Sequence, residues 1–183
     1  DSVSAVELDP TARVHASKIS GLNVEAGCLP DHLPAWADQF DLVCLFDVLE
    51  HVEDDATALR RIRQLVRRGG SVLITVPAYG WLFGPHDRAH HHFRRYTKRA
   101  LRQKLWEAGF RVTRIGYYNT LLFPAVVAER LTSMVTNSQR HVVGLPPAWL
   151  NTILYRLFAF ECMFVRHFLF PFGTSVVAIA HAD

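Results

Sequence analysis

Cysteine is scarce in this sequence, and its arrangement excludes a disulfide framework and a cysteine-based zinc site. Cys28, Cys44 and Cys162 are far apart, odd in number and form no Cys-x-x-Cys pair, whereas zinc sites built on cysteine need closely spaced pairs. Cys44 lies inside a hydrophobic run and is expected to be a small core residue. Cysteines of this kind fit a reducing, cytoplasmic setting.

The sequence also lacks a strong charge excess and an unbroken apolar segment. Its formal net charge is only +3, and nucleic-acid binding usually needs a clustered basic face, so we expect no nucleic-acid partner. The longest apolar stretch, residues 149–180, is too interrupted to be a clean membrane span of about 20 residues. The interrupting residues are Arg156, Glu161, Arg166 and His167.

Short apolar runs that alternate with helical stretches are the main pattern that is present. Five of these runs are clear, and a sixth, Val112–Tyr118, is more polar and ambiguous. The alternation of strand and helix predicts an α/β fold, with helices on both faces of a mostly parallel sheet. The five clearer runs, each predicted to be a strand, are Val3–Val6, Leu22–Val24, Leu42–Phe46, Val72–Val76 and Val176–Ala180.

Two predicted helices have clear start and stop signals. The first begins near Asp54-Asp55 and runs to Arg67-Arg68, and Gly69-Gly70 follows. Acids at its start and arginines at its end suit the helix dipole, and glycine suits the position after the last turn. The second begins at Thr97, a good N-cap residue, and ends at Gly109.

Residues 119–172 differ from the rest and predict a helical insertion before the last strand. One helix has an apolar face of Phe123, Val127, Leu131, Met134 and Val135. After the polar residues Asn137–Arg140 and Pro146-Pro147, an aromatic-rich helix spans residues 149–168. The apolar faces could pack against each other, form a lid over a hydrophobic acceptor, or dock on a membrane surface. The scattered charges of the second helix argue against a simple interfacial helix.

Acidic residues follow two of the predicted strands, where α/β folds bind their ligands. Glu7 directly follows the first strand and could accept hydrogen bonds from a ribose diol, whereas Asp9 could simply cap the next helix. Asp47, Glu50 and His51 follow the strand at residues 42–46 and should cluster at the same edge of the sheet. The alternative is that these acids are ordinary surface residues.

Several segments of the sequence together resemble one known enzyme family. Residues Asp41–Val52 resemble the fourth-strand motif of class I S-adenosylmethionine (SAM) methyltransferases, Gly69–Pro77 the fifth strand, and Glu107–Phe110 the turn into the sixth. The resemblance covers residues 1–118 and the last strand. It implies a three-layer Rossmann-like methyltransferase sheet, with a core at residues 1–118 and 173–183 and the insertion at 119–172.

The same resemblance implies which residues bind SAM. Glu7, followed by Leu8, would bind the ribose, Cys28 and Leu29 would flank the adenine, and Asp47 with His51 would lie near the methionine end. The family often has Asp in place of Cys28, so a backbone contact must serve there or the contact is absent. The family's first strand and Gly-rich loop would lie upstream of Asp1, and without them we expect these 183 residues to bind SAM weakly and to be inactive alone.

The densest polar segment, Asp87–Thr97, lies where this fold places acceptor-binding groups. It resembles a subgroup of bacterial methyltransferases with a His-x-Arg-Arg-Tyr run, many of them associated with glycan or lipid-linked pathways. By that resemblance His92, Arg94, Arg95 and Tyr96 would line the acceptor pocket, and His92, Arg95 and Tyr96 would be the catalytic residues. His92 could act as general base, and Arg94 or Arg95 could hold a phosphate or carboxylate. The alternative is a structural loop in which an arginine pairs with Asp87 and Tyr96 is packed.

Three consecutive histidines also raise the question of a metal ion. Asp47, Glu50 and His51 have helical i, i+3, i+4 spacing, and with His86 or His92 they could hold an ion. A similar arrangement occurs in some methyltransferases, but many metal-free relatives carry the same Glu-His pair. We therefore assign no metal ligand from the sequence.

Together these patterns predict SAM-dependent methyl transfer, at oxygen, to a small-molecule or lipid- or glycan-linked acceptor. The expected location is the cytoplasm, with peripheral membrane contact through residues 119–172. Two alternatives remain: another nucleotide-binding α/β enzyme, such as an NAD-dependent one, and a non-catalytic subunit that keeps the fold.

Overall fold

The computed structural model describes residues 2–36, 40–136, 147–165, 168 and 170–183. The predicted features at Asn137–Arg140, Pro146, Arg166 and His167, and the side chains of Met134, Val135 and Cys162, lie outside this description. The strands are β1 (Ala5–Glu7), β2 (Val24–Ala26), β3 (Phe40–Phe46), β4 (Val66–Pro77), β5 (Phe110–Tyr118) and β6 (Ser175–Ala182). The helices are α1 (Pro10–Ser20), α2 (Asp55–Leu65), α3 (Pro85–Ala89), α4 (Lys98–Glu107), α5 (Phe123–Thr136) and α6 (Ala148–Val165).

The strands form two hydrogen-bonded sheets. One is the parallel pair β1-β2, and the other has the order β3-β4-β6-β5. Strands β3 and β4 are parallel, whereas β6 is antiparallel to both of its neighbours. This mixed α/β arrangement confirms the predicted fold class, and each predicted strand is present within a few residues of its expected place.

Strand β3 lies at an edge of its sheet and is more exposed than the sequence predicts. Its one partner in the described residues is β4, and Phe46 has 58% of its surface exposed. The prediction that Cys44 is a core residue is wrong, because its side chain is exposed. The first strand expected from the resemblance would fall between β1 and β3, which do not pair with each other in the part of the chain described.

The helix predicted to run as far as Arg68 ends earlier. Asp54 caps α2 by accepting a hydrogen bond from the Thr57 amide, and the helix ends at Leu65. Residues 67–70 form an irregular turn within β4, because the strand pairing jumps from Phe40–Val66 to Leu42–Ser71. Gly69 has a φ of +74°, and a Cβ at Gly70 would lie 3.0 Å from the Phe40 carbonyl oxygen. The glycines therefore serve this turn and not the end of the helix.

Helix α4 follows the prediction closely. The Thr97 hydroxyl accepts a hydrogen bond from the Ala100 amide, and Gly109 has a φ of +87° beyond the last turn. Leu101 and Leu105 are fully buried. Together with α2 and the buried side chains of β4 and β6, they build the main hydrophobic core.

Helices α5 and α6 lie in the predicted insertion, and one buried carboxylate joins α6 to the segment between β5 and α5. Glu161 accepts hydrogen bonds from the amides of Thr120 (2.9 Å) and Leu121 (3.2 Å). Most of α6 is exposed although it is strongly apolar, and by length and composition alone it meets the requirement for a membrane span. It is a single weak candidate among the described residues and does not overturn the expectation that residues 149–180 form no clean span.

Candidate active site

The polar segments of the site meet at the carboxyl ends of β3 and β4. Asp47 is the first residue after β3, and its amide donates to the Thr75 carbonyl oxygen on β4 at 3.1 Å. Asp47 has a φ of +50°, and the turn Leu49–His51 that follows is a 3₁₀ turn. The helical i, i+3, i+4 spacing assumed from the sequence therefore does not apply, although Glu50 and His51 still lie at this edge of the sheet.

Backbone hydrogen bonds bring the histidine-rich segment to the same edge. The Phe93 amide donates to the Glu50 carbonyl oxygen, and the Tyr96 amide donates to the Pro77 carbonyl oxygen, both at 2.8 Å. As a result the ring centroids of His51 and His92 lie 4.5 Å apart. Two segments separated by about forty residues are thus fixed side by side.

Asp87 is the organising carboxylate of this segment. It is fully buried and accepts hydrogen bonds from Arg95 Nε (2.7 Å) and Nη2 (3.0 Å), from the Gly84 amide (2.7 Å) and from His92 Nδ1 (3.0 Å). Burial raises the pKa of Asp87, but these hydrogen bonds outweigh burial and the net pKa is lowered. An ionised Asp87 holds the His92 ring through Nδ1, which leaves Nε2 for chemistry.

Asp55, at the start of α2, is a second buried anchor. It pairs with Lys104 Nζ (2.7 Å) and Arg94 Nη1 (2.9 Å), and it accepts the Tyr96 hydroxyl at 2.8 Å. Burial raises the pKa of Asp55, yet the hydrogen bonds from Lys104, Tyr96 and Arg94 leave it below its usual value. For Tyr96, burial and the Asp55 bond both raise the pKa.

The structure separates the three residues predicted to be catalytic. His92 lies at the edge of the site, beside His51 and Glu50. Tyr96 is 2% exposed and its hydroxyl is bound to Asp55, while the Arg95 guanidinium is bound to Asp87. For Arg95 and Tyr96 the geometry therefore agrees with the structural alternative, in which an arginine pairs with Asp87 and the tyrosine is packed.

Glu50 was expected from the sequence at this edge of the sheet and as a possible metal ligand, but it was given no role in binding SAM or the acceptor. It is 1% exposed, and burial, with a smaller effect from the charge of Asp47, raises its pKa to about 7. Neither carboxylate oxygen has a hydrogen-bond partner within the described residues. The Asp-x-x-Glu-His spacing was the one sequence signal for it, but that signal could not show that Glu50 points inward.

An aromatic cluster connects this edge to the insertion. Tyr79 follows β4 with a φ of +58°, and its ring stacks on Tyr117 with centroids 4.9 Å apart. Phe123 of α5 contacts Tyr79, Trp81 and Phe172 with centroids 5.5 to 6.4 Å apart. The sequence analysis did not assign these residues to the site, because their contacts join distant segments.

The residues predicted to bind SAM lie on the β1-β2 side and at Asp47. Asp9 accepts from the Ala12 amide and caps α1, as the sequence allowed. The Glu7 Oε1 atom accepts from the Asp9 amide at 2.9 Å. No hydrogen bond to Oε2 is found within the described residues, and Leu8 beside it is exposed.

In the segment predicted to flank the adenine, Cys28-Leu29, the Cys28 amide is not available for a contact with the cofactor. The Cys28 amide donates to the His32 carbonyl oxygen (2.8 Å), and the His32 amide donates back (3.0 Å). The Cys28 N–H is therefore engaged within the protein. Its side chain is half-exposed and Leu29 is partly buried, so any contact of Cys28 with an adenine ring would be made by the side chain and not by the amide.

Part of this chain is similar to curated O-methyltransferases. A ubiquinone biosynthesis O-methyltransferase from Aeromonas salmonicida is 40% identical over 65 residues, which is 35% of this chain and 27% of that protein. The chain thus spans about a quarter of the length of the curated relatives that it matches.

Solved structures show the same fold. A SAM-dependent methyltransferase from Thermotoga maritima has a TM-score of 0.58 at 13% identity, with 98% of this chain and 72% of that chain covered. A Haemonchus contortus phosphoethanolamine N-methyltransferase in complex with SAM has a TM-score of 0.54 at 15% identity, covering 99% and 43%. A family model described as a methyltransferase domain matches residues 3–115, more than half of the chain. The chain therefore belongs to the methyltransferase domain family, whose cofactor is SAM.

Proposed function

We propose that the whole protein transfers a methyl group from SAM to an oxygen atom of a small-molecule or lipid-linked acceptor. The observation that carries this proposal is the His92 ring, which Asp87 holds at the edge where β3 and β4 end. The similarity of 65 residues to a ubiquinone biosynthesis O-methyltransferase supports oxygen as the methylated atom.

In this proposal the chain orients the cofactor through groups of both sheets. Glu7 would accept hydrogen bonds from the ribose diol, and Leu8, Cys28 and Leu29 would pack around the nucleoside. Asp47, with His51 beside it, would lie near the methionine end. SAM supplies an activated methyl group, so the main task of these residues is to position the reactants.

His92 would act as the general base. With Nδ1 held by the Asp87 carboxylate, Nε2 would accept the proton of the acceptor hydroxyl. Asp87 would also stabilise the imidazolium that forms. Arg95 and Tyr96, predicted from the resemblance to contact the acceptor, would instead be positioning residues, because their polar groups are bound to Asp87 and Asp55.

An apolar acceptor is supported by the surfaces that surround the site. Trp81 and Phe172 of the aromatic cluster are about half exposed, and Trp149 of α6 is 66% exposed. A lipid-linked acceptor would bury these side chains, and contact of α6 with a membrane surface would place the protein where such acceptors lie. We therefore propose a cytoplasmic protein that makes peripheral membrane contact through residues 119–172.

The first experiment is calorimetric titration of the full-length protein with SAM, followed by transfer of labelled methyl to a membrane extract. We expect SAM to bind with a dissociation constant of roughly 1 μM to 1 mM. The labelled methyl group should be found bonded to an oxygen atom of the acceptor. The 183 residues alone should bind more weakly, because no described strand joins β1 to β3. Absence of SAM binding by the full-length protein would favour a non-catalytic subunit, and binding of NAD instead would favour a dehydrogenase.

A further inference from the structure

A buried carboxylate without a partner lies beside two histidine rings at the edge of the sheet. Glu50 is 1% exposed, and within the described residues neither oxygen of its carboxylate is hydrogen-bonded. One donor atom from each of Glu50, His51 and His92 can be chosen so that all three lie within 4.8 Å of one another. Because an unpaired buried carboxylate is unfavourable, this arrangement indicates a ligand that compensates it.

The two histidine rings are held beside each other. His92 Nδ1 is bound to Asp87 Oδ1 at 3.0 Å, and the His51 ring packs edge-on against the His92 ring with centroids 4.5 Å apart. His92 therefore keeps Nε2 for another ligand. Histidines that bind metals show this pattern, in which one nitrogen holds the ion and the other donates to a carboxylate or a carbonyl group.

The local charges favour a cation. Asp87 is compensated by the guanidinium of Arg95, which contacts both of its oxygens. No cation is hydrogen-bonded to Glu50 within the described residues, and the one positive charge that acts on it, Arg95, is outnumbered by the negative charges of Asp47 and Asp87. A divalent ion would neutralise the carboxylate and could bind one ring nitrogen of each histidine.

We propose that Glu50, His51 and His92 bind a first-row divalent transition-metal ion, of which Zn²⁺ is the best candidate. Two imidazoles and one carboxylate suit such ions, whereas Mg²⁺ and Ca²⁺ prefer sites made of oxygen ligands. Three protein ligands also leave a coordination position open.

The role of this ion in catalysis rests on the proposed function, whereas the ion site itself does not. An acceptor oxygen at the open position would be polarised by the ion. Nε2 of His92 cannot hold an ion and accept a proton at the same time. In the metal-bound protein His92 would therefore be a ligand, and the ion would lower the pKa of the acceptor hydroxyl so that its proton is released to solvent.

The test uses full-length protein purified without a histidine tag and stripped of metal with a chelator. Zn²⁺ is titrated by calorimetry, and Co²⁺ is followed by its visible absorption. We expect one equivalent of each ion to bind, and Mg²⁺ to bind at least about 100-fold more weakly. Glu50→Gln and His51→Gln should each weaken Zn²⁺ binding by at least about 100-fold. His91→Gln is the matched control and should bind Zn²⁺ as the wild type does.

His51 is exposed, so its variant keeps the experiment informative even if Glu50→Gln destabilises the fold. Absence of stoichiometric Zn²⁺ binding by the wild type overturns the proposal. So does an affinity for Zn²⁺ in the Glu50→Gln and His51→Gln variants that equals that of the wild type. SAM binding is measured on the same stripped sample. If Zn²⁺ binds but SAM does not, the metal site stands and the proposed methyl transfer fails; the reverse result removes only the metal site.

Discussion

The Nδ1 atom of His92 lies 3.0 Å from Oδ1 of Asp87, and Asp87 is fully buried. This pair fixes which nitrogen of His92 faces the site and keeps a negative charge behind the ring. The same carboxylate also binds Arg95. Asp87 therefore both orients the proposed general base and holds the histidine-rich segment in place.

We expect His92→Gln to lower kcat for methyl transfer by about 10²- to 10⁴-fold, with little change in the affinity for SAM. The reason is that glutamine cannot accept the proton of the acceptor, nor replace the imidazole as a ligand. Steady-state kinetics and calorimetry on the full-length protein separate the two effects. His91→Gln should leave kcat unchanged, and an unaltered kcat in the His92 variant would contradict the assignment.

Glu7→Gln should weaken SAM binding by about 10- to 100-fold, since a hydrogen bond to a charged group contributes roughly 1.5 to 3 kcal/mol. Calorimetric titration of the full-length protein measures this directly. Glu25→Gln on the neighbouring strand β2 is the control. Its side chain accepts from Trp36 Nε1, which glutamine can still do. Equal losses in both variants would show that the effect comes from the fold and not from the ribose.

Asp55→Asn should lower the free energy of unfolding by about 3 kcal/mol at neutral pH, because it leaves two cationic side chains without their buried partner. The pKa of Asp55 is lowered in the folded state. Its contribution is therefore fully present above the unfolded pKa near 3.8 and is lost as the pH falls through the folded value.

Urea unfolding from about pH 7 down to about pH 2 tests this prediction. The wild type should lose stability in acid more steeply than Asp55→Asn. Asp54→Asn is the control next in sequence, and it should cost much less because asparagine also caps helices well. Parallel acid profiles for the wild type and the Asp55 variant would show that the anchor contributes nothing.

Replacing Trp149 and Phe160 of α6 by serine should weaken binding of the full-length protein to anionic lipid vesicles by at least about tenfold. Both side chains are more than half exposed, and co-sedimentation measures the bound fraction. Trp106→Ser on α4 is the control, because that side chain is 74% exposed but lies outside the insertion. If the α6 substitutions instead dissociate a dimer in size-exclusion chromatography, a second copy of the chain and not a membrane covers α6.

The sequence predicted local features well because their signals are local. Thr97 and Gly109 bound α4 as expected, and the apolar runs are strands. The arginines and glycines at 67–70 were misread, because the same residues suit the end of a helix and a turn inside a strand. Only the pairing of Phe40 with Val66 separates the two, and that contact is distant in sequence.

The site was harder to predict, since its geometry depends on two buried acids. Asp87 lies eight residues before Arg95, and Asp55 lies forty-one residues before Tyr96. Neither distance follows from a motif, so the pattern His-x-Arg-Arg-Tyr could not distinguish a residue that faces the acceptor from one that holds the loop. Glu50 shows the converse, because its burial without a partner appears only in three dimensions.

The Glu161 carboxylate accepts hydrogen bonds from the amides of Thr120 and Leu121 and so connects α6 to the segment that follows β5. Tyr117, three residues before Thr120, stacks on Tyr79 at the edge of the site. On the proposed function, a bulky acceptor that displaces α6 would also shift the segment after β5 and, through Tyr117, the ring of Tyr79. Glu161 would then couple the entry of the acceptor to the position of the aromatic rings.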